Sequence, residues 1–583
     1  MPSAIAPRPI DRLTRLLAEE RGEIGLVYLY AALAGLLSLA LPVGVQAIIG
    51  LVSGGMLLQP VVILVGAVVL GTAASGVLQL LQLGAVERMQ QRIFARLALD
   101  WGARLPRVWL EATAGEHLPE TVNRFFEVVI IQKGLAKLLT EAVAAVLAVL
   151  FGLLLLTVYH PALSVAGTVL LSLLAGSLWL TGRGGLATSL AESAGKYRVA
   201  HWLQEVARRV TTFRGAPEST LPLARTDAEV AGYLRARQAH FRVLVRQSLA
   251  AVVFRTVITG ALLVLGTALV VDRQITLGQF VASELVVVGV LAGVEKLVLS
   301  LSTIYDVLTS AEKAALVGDL PVEAATGGVA PAPSGPAGVE LRAGALSYRY
   351  PGAPRPALDR VTLTVEPGQR VAITGTEGAG ESTLLAVAAG LRTGFDGALA
   401  YDGVSARDVD AAALRRRIGF VEQAPRLVDG TLHENVALGR ASVTDADVRW
   451  ALDFAGLADF VRALPDGLRT RVGGSAPLPS QVARKLALAR ALAARPALLL
   501  FDEFFHHLEP VFKRELIGRL FRRDAGWTVI AASHDPVFLA ACDHIYVLAE
   551  GRVVRDGPFE ELLGDPAFAG LMRAQRDHLV SVG

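Results

Sequence analysis

The residues with the clearest chemistry form a glycine-rich turn between a predicted strand and a predicted helix, in "RVAITGTEGAGESTLLAVAAGL" (370–391). The turn matches the phosphate-binding pattern G-x-x-x-x-G-K-[ST] at every position but one. Glycines let backbone N–H groups point at a phosphate, and the helix that follows presents the positive end of its dipole. The pattern predicts a phosphate-binding loop in which the hydroxyl of Ser382 ligates Mg²⁺. The residues of the turn are Gly375, Thr376, Glu377, Gly378, Ala379, Gly380, Glu381, Ser382 and Thr383.

The one departure is Glu381, which stands where the pattern has lysine. A hydrogen bond to a charged group contributes ~1.5–3 kcal/mol, and that contribution is lost with the lysine. A carboxylate also repels a polyphosphate, by up to ~4 kcal/mol per charge pair at ~4 Å and an effective dielectric of ~20. We therefore predict that a polyphosphate binds weakly in this loop.

Acidic and imidazole groups follow two further predicted strands. The segment "LLLFDE" (498–503) ends in Asp502 and Glu503, and "VIAASHD" (529–535) places His534 after a buried strand. Asp502 is expected to hold Mg²⁺ through water, and Glu503 to polarise an attacking water. Taken alone, the two acids also suit a helix cap, and His534 also suits a hydrogen-bonded core residue.

Six apolar stretches are long enough to cross a bilayer, which takes roughly 20 residues each. The chain is 53% hydrophobic and 19% charged, as expected of a membrane protein. Segments 85–136 and 182–248 contain seven and eleven Lys and Arg residues. Since positive charge stays cytoplasmic, both segments and both termini are predicted to be cytoplasmic. The stretches lie near 25–51, 60–84, 138–159, 162–181, 249–271 and 277–303.

Taken in order, these motifs resemble the ATP-binding cassette (ABC) family, and the six-span half is similar to its half-size exporters. The chain looks most like the type I secretion and peptide-export branch. The resemblance implies an all-α six-helix transmembrane domain followed by an α/β P-loop ATPase domain. It also implies that Tyr350 stacks on adenine, that Gln423 ligates Mg²⁺ and couples it to the membrane half, and that His534 contacts the γ-phosphate.

We divide the chain into four regions on composition and on this resemblance. Residues 1–22 are predicted to form a cytoplasmic helix on the membrane surface, with Ile10, Leu13, Leu16 and Leu17 on one face. An ordinary helix start remains the alternative. The exporter domain is placed at 23–310, a Pro-, Gly- and Ala-rich linker at 311–338, and the nucleotide-binding domain at 339–583.

The family signature LSGGQ is replaced by Leu478, Pro479, Ser480, Gln481 and Val482. In the family, the signature closes over the γ-phosphate bound by a second nucleotide-binding domain. Pro479 brings neither a hydroxyl nor an N–H group, and Ser480 replaces a glycine that permits close backbone approach. The adjacent His506 and His507 are not expected to bind a metal, because neighbouring residues rarely face one ion.

We therefore expect a subunit of an ABC exporter that moves a peptide, protein or amphiphilic cargo out across the bacterial inner membrane. ATP and Mg²⁺ are expected to bind weakly, and hydrolysis by this chain alone is expected to be impaired. The resemblance implies an obligate dimer, which we expect to pair this chain with a competent half-transporter, and admits a periplasmic adaptor. The near-neutral net charge of +3 gives no indication of nucleic acid. The alternative is a non-hydrolysing structural or regulatory pseudo-transporter.

Four charged residues lie in the predicted fifth and sixth spans, and such groups usually face a cavity or each other. By depth, Arg255 is expected to pair with Glu295. A structural pair and a polar group on a translocation path both remain open. The four residues are Arg255, Glu284, Glu295 and Lys296.

Overall fold

The computed structural model describes residues 9–54, 58–113, 118–323, 328–329, 338–474, 478–522, 524–566, 568–570 and 572. These residues divide into two compact units. The first unit contains residues up to 107 and from 118 to 320. The second unit contains residues 108–113 and the residues from 321 onward.

The first unit is helical. Six of its helical segments are long and apolar enough to cross a membrane, and they coincide with the six predicted spans. Its helices are α1 (Pro9–Ala18), α2 (Arg21–Ser38), α3 (Ala40–Ser53), α4 (Leu58–Arg104), α5 (Leu118–Asn123), α6 (Phe126–Lys137), α7 (Val143–Tyr159), α8 (Pro161–Thr181), α9 (Gly185–Arg208), α10 (Val210–Arg214), α11 (Leu221–Val271) and α12 (Leu277–Gly318).

Three helices are much longer than a bilayer requires. Helices α4, α11 and α12 contain 47, 51 and 42 residues. At ~1.5 Å per residue each exceeds the ~30 Å hydrocarbon thickness by a wide margin. The basic residues of α4 and α11 therefore belong to the same continuous helices as the second and fifth spans.

The first and third spans are interrupted, which apolar composition does not reveal. A break at Leu39 separates α2 from α3, and Pro42, which lacks an N–H group, lies in the first turn of α3. A π-helical turn at Leu138–Ala142 separates α6 from α7. Between α7 and α8 the predicted tight hairpin is present, and His160 caps α8 by accepting a hydrogen bond from the Ala162 N–H at 3.2 Å.

Helix α1 packs against its own unit. Leu13, Leu16 and Leu17 contact a buried cluster that includes Met89, whereas Ile10 is 56% exposed. The predicted apolar face thus has three packed members and one exposed member. Placement of α1 on a membrane surface stays a prediction.

The predicted ion pair in the fifth and sixth spans is present. The Nη1 atom of Arg255 lies 3.8 Å from Oε2 of Glu295. Both side chains remain more than 60% exposed within this single chain, so the pair is open to a ligand or to a neighbouring surface.

Two predicted boundaries need correction. Helix α12 continues to Gly318, so the first residues of the predicted linker 311–338 are helical; residues 324–327 and 330–337 lie outside the described residues. The predicted exporter domain 23–310 is also not continuous, because residues 108–113 belong to the second unit. There the Trp109 N–H donates to Pro321 O at 3.1 Å, and the carboxylate of Glu111 accepts the Thr393 N–H at 3.1 Å.

The second unit is an α/β domain. Its strands are β1 (Leu341–Tyr348), β2 (Leu358–Val365), β3 (Arg370–Gly375), β4 (Phe395–Tyr401), β5 (Val404–Ser405), β6 (Ile418–Val421), β7 (Gly430–Thr431), β8 (Arg471–Val472), β9 (Leu498–Asp502), β10 (Thr528–Ala532), β11 (His544–Ala549) and β12 (Arg552–Gly557). Its helices are α13 (Glu381–Ala388), α14 (Ala411–Arg416), α15 (Leu432–Ala437), α16 (Asp445–Phe454), α17 (Ala458–Ala463), α18 (Ser480–Leu492), α19 (Pro510–Leu520), α20 (Pro536–Leu539) and α21 (Phe559–Leu563).

The sheet order determines which residues meet. The six-stranded sheet runs β12-β11-β3-β10-β9-β6, and the five strands from β11 to β6 are parallel. Parallel strands place their carboxyl ends, where ligands usually bind, at one edge. The ends of β3, β10 and β9 are therefore neighbours. Beneath them lies an aromatic core in which the rings of Phe505 and Phe538 stack with centroids 4.1 Å apart.

Candidate nucleotide site

The glycine-rich turn connects β3 to α13, the strand–turn–helix arrangement that the sequence predicts. Gly378 and Gly380 have φ angles of +79° and +105°, in the left-handed region that glycine tolerates best. A Cβ atom at Gly380 would lie 2.4 Å from Ala357 O, so only glycine fits there. Helix α13 begins at Glu381, and its first N–H groups have no partner within the helix. The turn therefore has the backbone form of a phosphate cradle.

The two predicted Mg²⁺ ligands from distant parts of the chain meet beside this turn. The hydroxyl of Ser382 donates to Oδ1 of Asp502 at 2.7 Å, across a sequence separation of 120 residues. Gln423, the third predicted ligand, lies in the exposed loop after β6. Within the described residues Gln423 is contacted through its backbone carbonyl, to which Arg484 donates at 3.1 Å. Its role in binding Mg²⁺ stays a prediction.

Glu381, Glu503 and His534 converge at the same edge. The Nε2 atom of His534 lies 3.1 Å from Oε1 of Glu503 and 3.7 Å from Oε2 of Glu381. Glu503 has a φ angle of +47°, a strained backbone conformation of the kind that accumulates at functional sites. The Oε1 atom of Glu381 is buried and has no hydrogen-bond partner among the described residues.

Electrostatics in this cluster favour neutral side chains. Burial, reinforced by the charges of Glu503 and Asp502, raises the pKa of Glu381 from its ordinary 4.5 to about 8. Burial, with the charges of Asp502 and Asp535, raises the pKa of Glu503 to about 7. Burial, together with His506, lowers the pKa of His534. At neutral pH the Glu381 carboxyl therefore holds a proton, and the imidazole is uncharged.

The raised pKa of Glu381 predicts a pH-dependent cost to folding. Between pH ~4.5 and ~8 the unfolded carboxyl is ionised while the folded one keeps its proton, so the free energy of unfolding falls as pH rises. Glu381→Gln removes this cost. We expect it to raise the free energy of unfolding by on the order of 3 kcal/mol at pH ~7, and by little at pH ~5. Hydrogen exchange of β3 peptides in the full chain, in chelator-containing buffer, measures this change in the free energy of unfolding.

The matched control is Glu377→Gln, in an exposed position of the same turn. The free energy of unfolding of this variant should depend on pH in the same way as that of wild type. A Glu381→Gln chain that loses stability between pH ~5 and ~8 as steeply as wild type would show that Glu381 does not carry this cost.

Tyr350, the predicted adenine platform, lies beside the turn. Its hydroxyl is 3.2 Å from Oγ1 of Thr383, and the guanidinium of Arg392 lies 5.2 Å from the centre of its ring. Its other ring contact is an edge-on one with Tyr348, at 5.2 Å between centroids. Since Arg392 covers one side of the ring, an adenine base would have to use the other.

The replaced signature lies at the start of α18. Pro479 immediately precedes the helix and forms no side-chain cap, and Ser480 is its first residue. Leu478 packs against the core of the unit. That Pro479 and Ser480 cannot contact a γ-phosphate as the glycine-containing signature does stays a prediction. Residues 475–477 lie outside the described residues.

Sequence reasoning missed two features of the site. Thr374, buried at the end of β3, places its Oγ1 atom 2.9 Å from Nδ1 of His534 and so orients the imidazole. A lone polar residue ending the apolar run "RVAIT" was the available signal. The second feature is a buried ion pair in which Lys513 donates to the carboxylate of Asp535, the residue after His534.

The site fits a magnesium nucleotide only in part. The backbone cradle and the Ser382–Asp502 pair suit phosphate and Mg²⁺. The buried, partnerless oxygen of Glu381 does not suit a γ-phosphate, because the groups around it are acidic. The residues that would surround the γ-phosphate therefore do not fit that ligand.

Comparison with known proteins shows what this chain is similar to. Residues 358–506 match the family model described as "ABC transporter". A second model, described as "AAA domain, putative AbiEii toxin, Type IV TA system", matches residues 482–540. Part of the second unit is thus similar to ABC transporter domains, and the first unit contributes six candidate membrane-spanning helices.

Individual relatives agree with this class. An ATP-dependent lipid A-core flippase of Burkholderia orbicola is 34% identical over 293 residues, which are 50% of this chain and 49% of the flippase. A sophorolipid transporter of Starmerella bombicola is 34% identical over 243 residues, 41% of this chain and 19% of that protein. The chain thus matches about half or less of the length of these relatives.

A solved structure extends the likeness to the fold of the whole chain. The ATP-bound structure of a bacterial Atm1-family ABC exporter has a TM-score of 0.81 and covers 95% of this chain and 98% of its own. Its sequence identity is 22%, so this likeness concerns the fold alone.

Proposed function

We propose that this chain is one subunit of a dimeric ABC exporter of the bacterial inner membrane, which couples ATP binding to the outward movement of an amphiphilic cargo. The observation that supports the proposal is a glycine-rich turn with the backbone form of a phosphate cradle, beside which Ser382 pairs with Asp502. The same chain has six candidate membrane-spanning helices. The nucleotide-binding domain and both termini are cytoplasmic in this proposal.

The cargo class is supported by the relatives and by a cavity. Two of the relatives are named for lipids; the peptide or protein cargo expected from the secretion branch has no such support. A cavity of about 520 Å³ lies in the first unit, among α2, α4, α7 and α12. Its wall is mostly Ala, Gly and Leu, with polar groups at Gln79, Gln82, Glu141 and Lys296. Apolar chains fit such a wall, and Lys296 suits an anionic headgroup.

Two copies of this chain would form a poor ATPase. In the family arrangement each ATP lies between one domain's P-loop and the other's signature, so a homodimer would carry Glu381 and Pro479 in both sites. Pairing with a competent half-transporter supplies an intact P-loop in one site and an intact signature in the other. A heterodimer is therefore the assembly we propose, and a periplasmic adaptor remains a further candidate partner.

Co-purification from native membranes tests this proposal. Mass spectrometry of the solubilised complex should find a second half-transporter in a 1:1 ratio and should identify bound lipids. The purified complex should hydrolyse ATP, whereas this chain purified alone should not. A chain that is isolated only as a homodimer and hydrolyses ATP at an ordinary exporter rate would contradict the proposal.

The second candidate is a non-hydrolysing pseudo-transporter with a structural or regulatory role. It is favoured by the buried carboxyl of Glu381 in the P-loop. In that case ATP would bring the nucleotide-binding domains of the native complex together without phosphate release. Chemical cross-linking and phosphate release, measured on the same sample, separate the two functions.

A further inference from the structure

Glu381, Glu503 and His534 place one potential metal-ligand atom each within 4.8 Å of the others. The distances from Nε2 of His534 are 3.1 Å to Glu503 and 3.7 Å to Glu381. Ligand atoms of a tetrahedral Zn²⁺ ion, bound at ~2.0–2.2 Å, lie ~3.3 Å apart. Both distances from His534 are therefore within about half an ångström of the spacing that such an ion requires.

A second observation points to a missing cation. Glu381 is only 9% exposed, and its Oε1 atom has no hydrogen-bond partner among the described residues. The charged groups that act on it, Glu503 and Asp502, are both acidic. A buried carboxyl oxygen without a hydrogen-bond partner is unfavourable, and a divalent ion that displaces the carboxyl proton to solvent and binds this oxygen would remove that penalty.

The imidazole is also held as a metal ligand requires. Metal-bound histidines usually have their second ring nitrogen hydrogen-bonded to a neighbouring group, which fixes the ring. Thr374 contacts Nδ1 of His534 at 2.9 Å and leaves Nε2 facing the two carboxyl groups.

We propose that Glu381, Glu503 and His534 bind one Zn²⁺ ion, with a water molecule as the fourth ligand. An imidazole nitrogen with carboxylate oxygens is a donor set that Zn²⁺ accepts, and two carboxylates balance its charge. The set shares no residue with the predicted Mg²⁺ ligands Ser382, Gln423 and Asp502. Of these, Ser382 and Asp502 are hydrogen-bonded to each other. The proposal holds whether or not the chain transports a cargo.

The test uses the full chain in lipid nanodiscs, without a polyhistidine tag and without nucleotide. Competition with a chromogenic chelator, in millimolar Mg²⁺, should give one Zn²⁺ per chain. Glu381→Gln and His534→Gln each remove a ligand and should weaken Zn²⁺ binding by at least about 100-fold. Thr374→Val removes only the group that orients His534 and should weaken it less, by ~10–100-fold. Co²⁺ in place of Zn²⁺ should give the visible absorption of a tetrahedral site.

Two matched controls should keep wild-type affinity. Glu377→Gln changes an exposed carboxyl of the same turn, and His433→Gln removes a surface imidazole that is 3.0 Å from Asp445. The absence of stoichiometric Zn²⁺ binding and of a Co²⁺ band in wild type would overturn the proposal. Retention of wild-type affinity in both Glu381→Gln and His534→Gln would also overturn it.

Discussion

Replacing Glu381 by lysine should raise the affinity of the purified chain for MgATP by at least about 10–100-fold. The new ammonium group restores a charged hydrogen bond to phosphate, which the carboxyl of Glu381, uncharged at neutral pH, does not supply. The change should be tolerated, because Asp502 and Glu503 lie close enough to act on this position and would pair with the new cation. Titration with a fluorescent ATP analogue in nanodiscs measures the gain.

Glu377→Lys is the matched control, because it makes the same charge change at an exposed position of the same turn. It should increase affinity far less than Glu381→Lys does. Equal affinities of wild type and Glu381→Lys would show that the carboxyl does not limit nucleotide binding. Glu381→Lys should also abolish the proposed Zn²⁺ binding. One substitution is therefore expected to raise the affinity for MgATP and to lower the affinity for Zn²⁺.

Lys513→Met should lower the free energy of unfolding of the second unit by about 3–5 kcal/mol. Lys513 and Asp535 are 9% and 3% exposed, and removing the lysine leaves a buried carboxylate charge without its partner. Asp535 also accepts the N–H groups of Val537 and Phe538 at 3.0 and 3.2 Å, so it cannot turn toward water without uncapping α20. Hydrogen exchange of β10 peptides in the full chain measures the change.

The double variant Lys513→Met with Asp535→Asn should recover part of this loss, because asparagine is neutral and keeps the cap. Arg522→Met is the control, since it breaks an exposed ion pair with Asp524 at 2.8 Å and should cost less than ~1 kcal/mol. A loss in Lys513→Met no larger than that in Arg522→Met would show that the buried pair is not stabilising.

The sequence predicted well those features that local pattern determines. The strand, turn and helix around Gly375 follow from an apolar run, glycines and a helical period, and all three are present. Six apolar stretches of sufficient length became six candidate spans. Ser382 and Asp502 were each expected to ligate Mg²⁺, and the structure brings their side chains within 2.7 Å of each other.

Features that depend on packing could not be predicted. The convergence of Glu381 with His534 requires that β10 lie between β3 and β9, and no local signal fixes that order. The break at Leu39 and the π turn at Leu138–Ala142 lie in stretches whose composition suits an unbroken helix. The left-handed conformation of Glu503 is imposed by its surroundings, since glutamate has no preference for it.

The short segment at 108–113 bears on how this protein can be dissected. A gene fragment that starts at residue 321 encodes the glycine-rich turn but omits the stretch in which Glu111 accepts the Thr393 N–H and the Trp109 N–H donates to Pro321 O. Such a fragment would leave those polar groups to solvent and would report on an incomplete fold. A faithful soluble version requires that upstream peptide to be supplied, either in trans or through a circularly permuted gene.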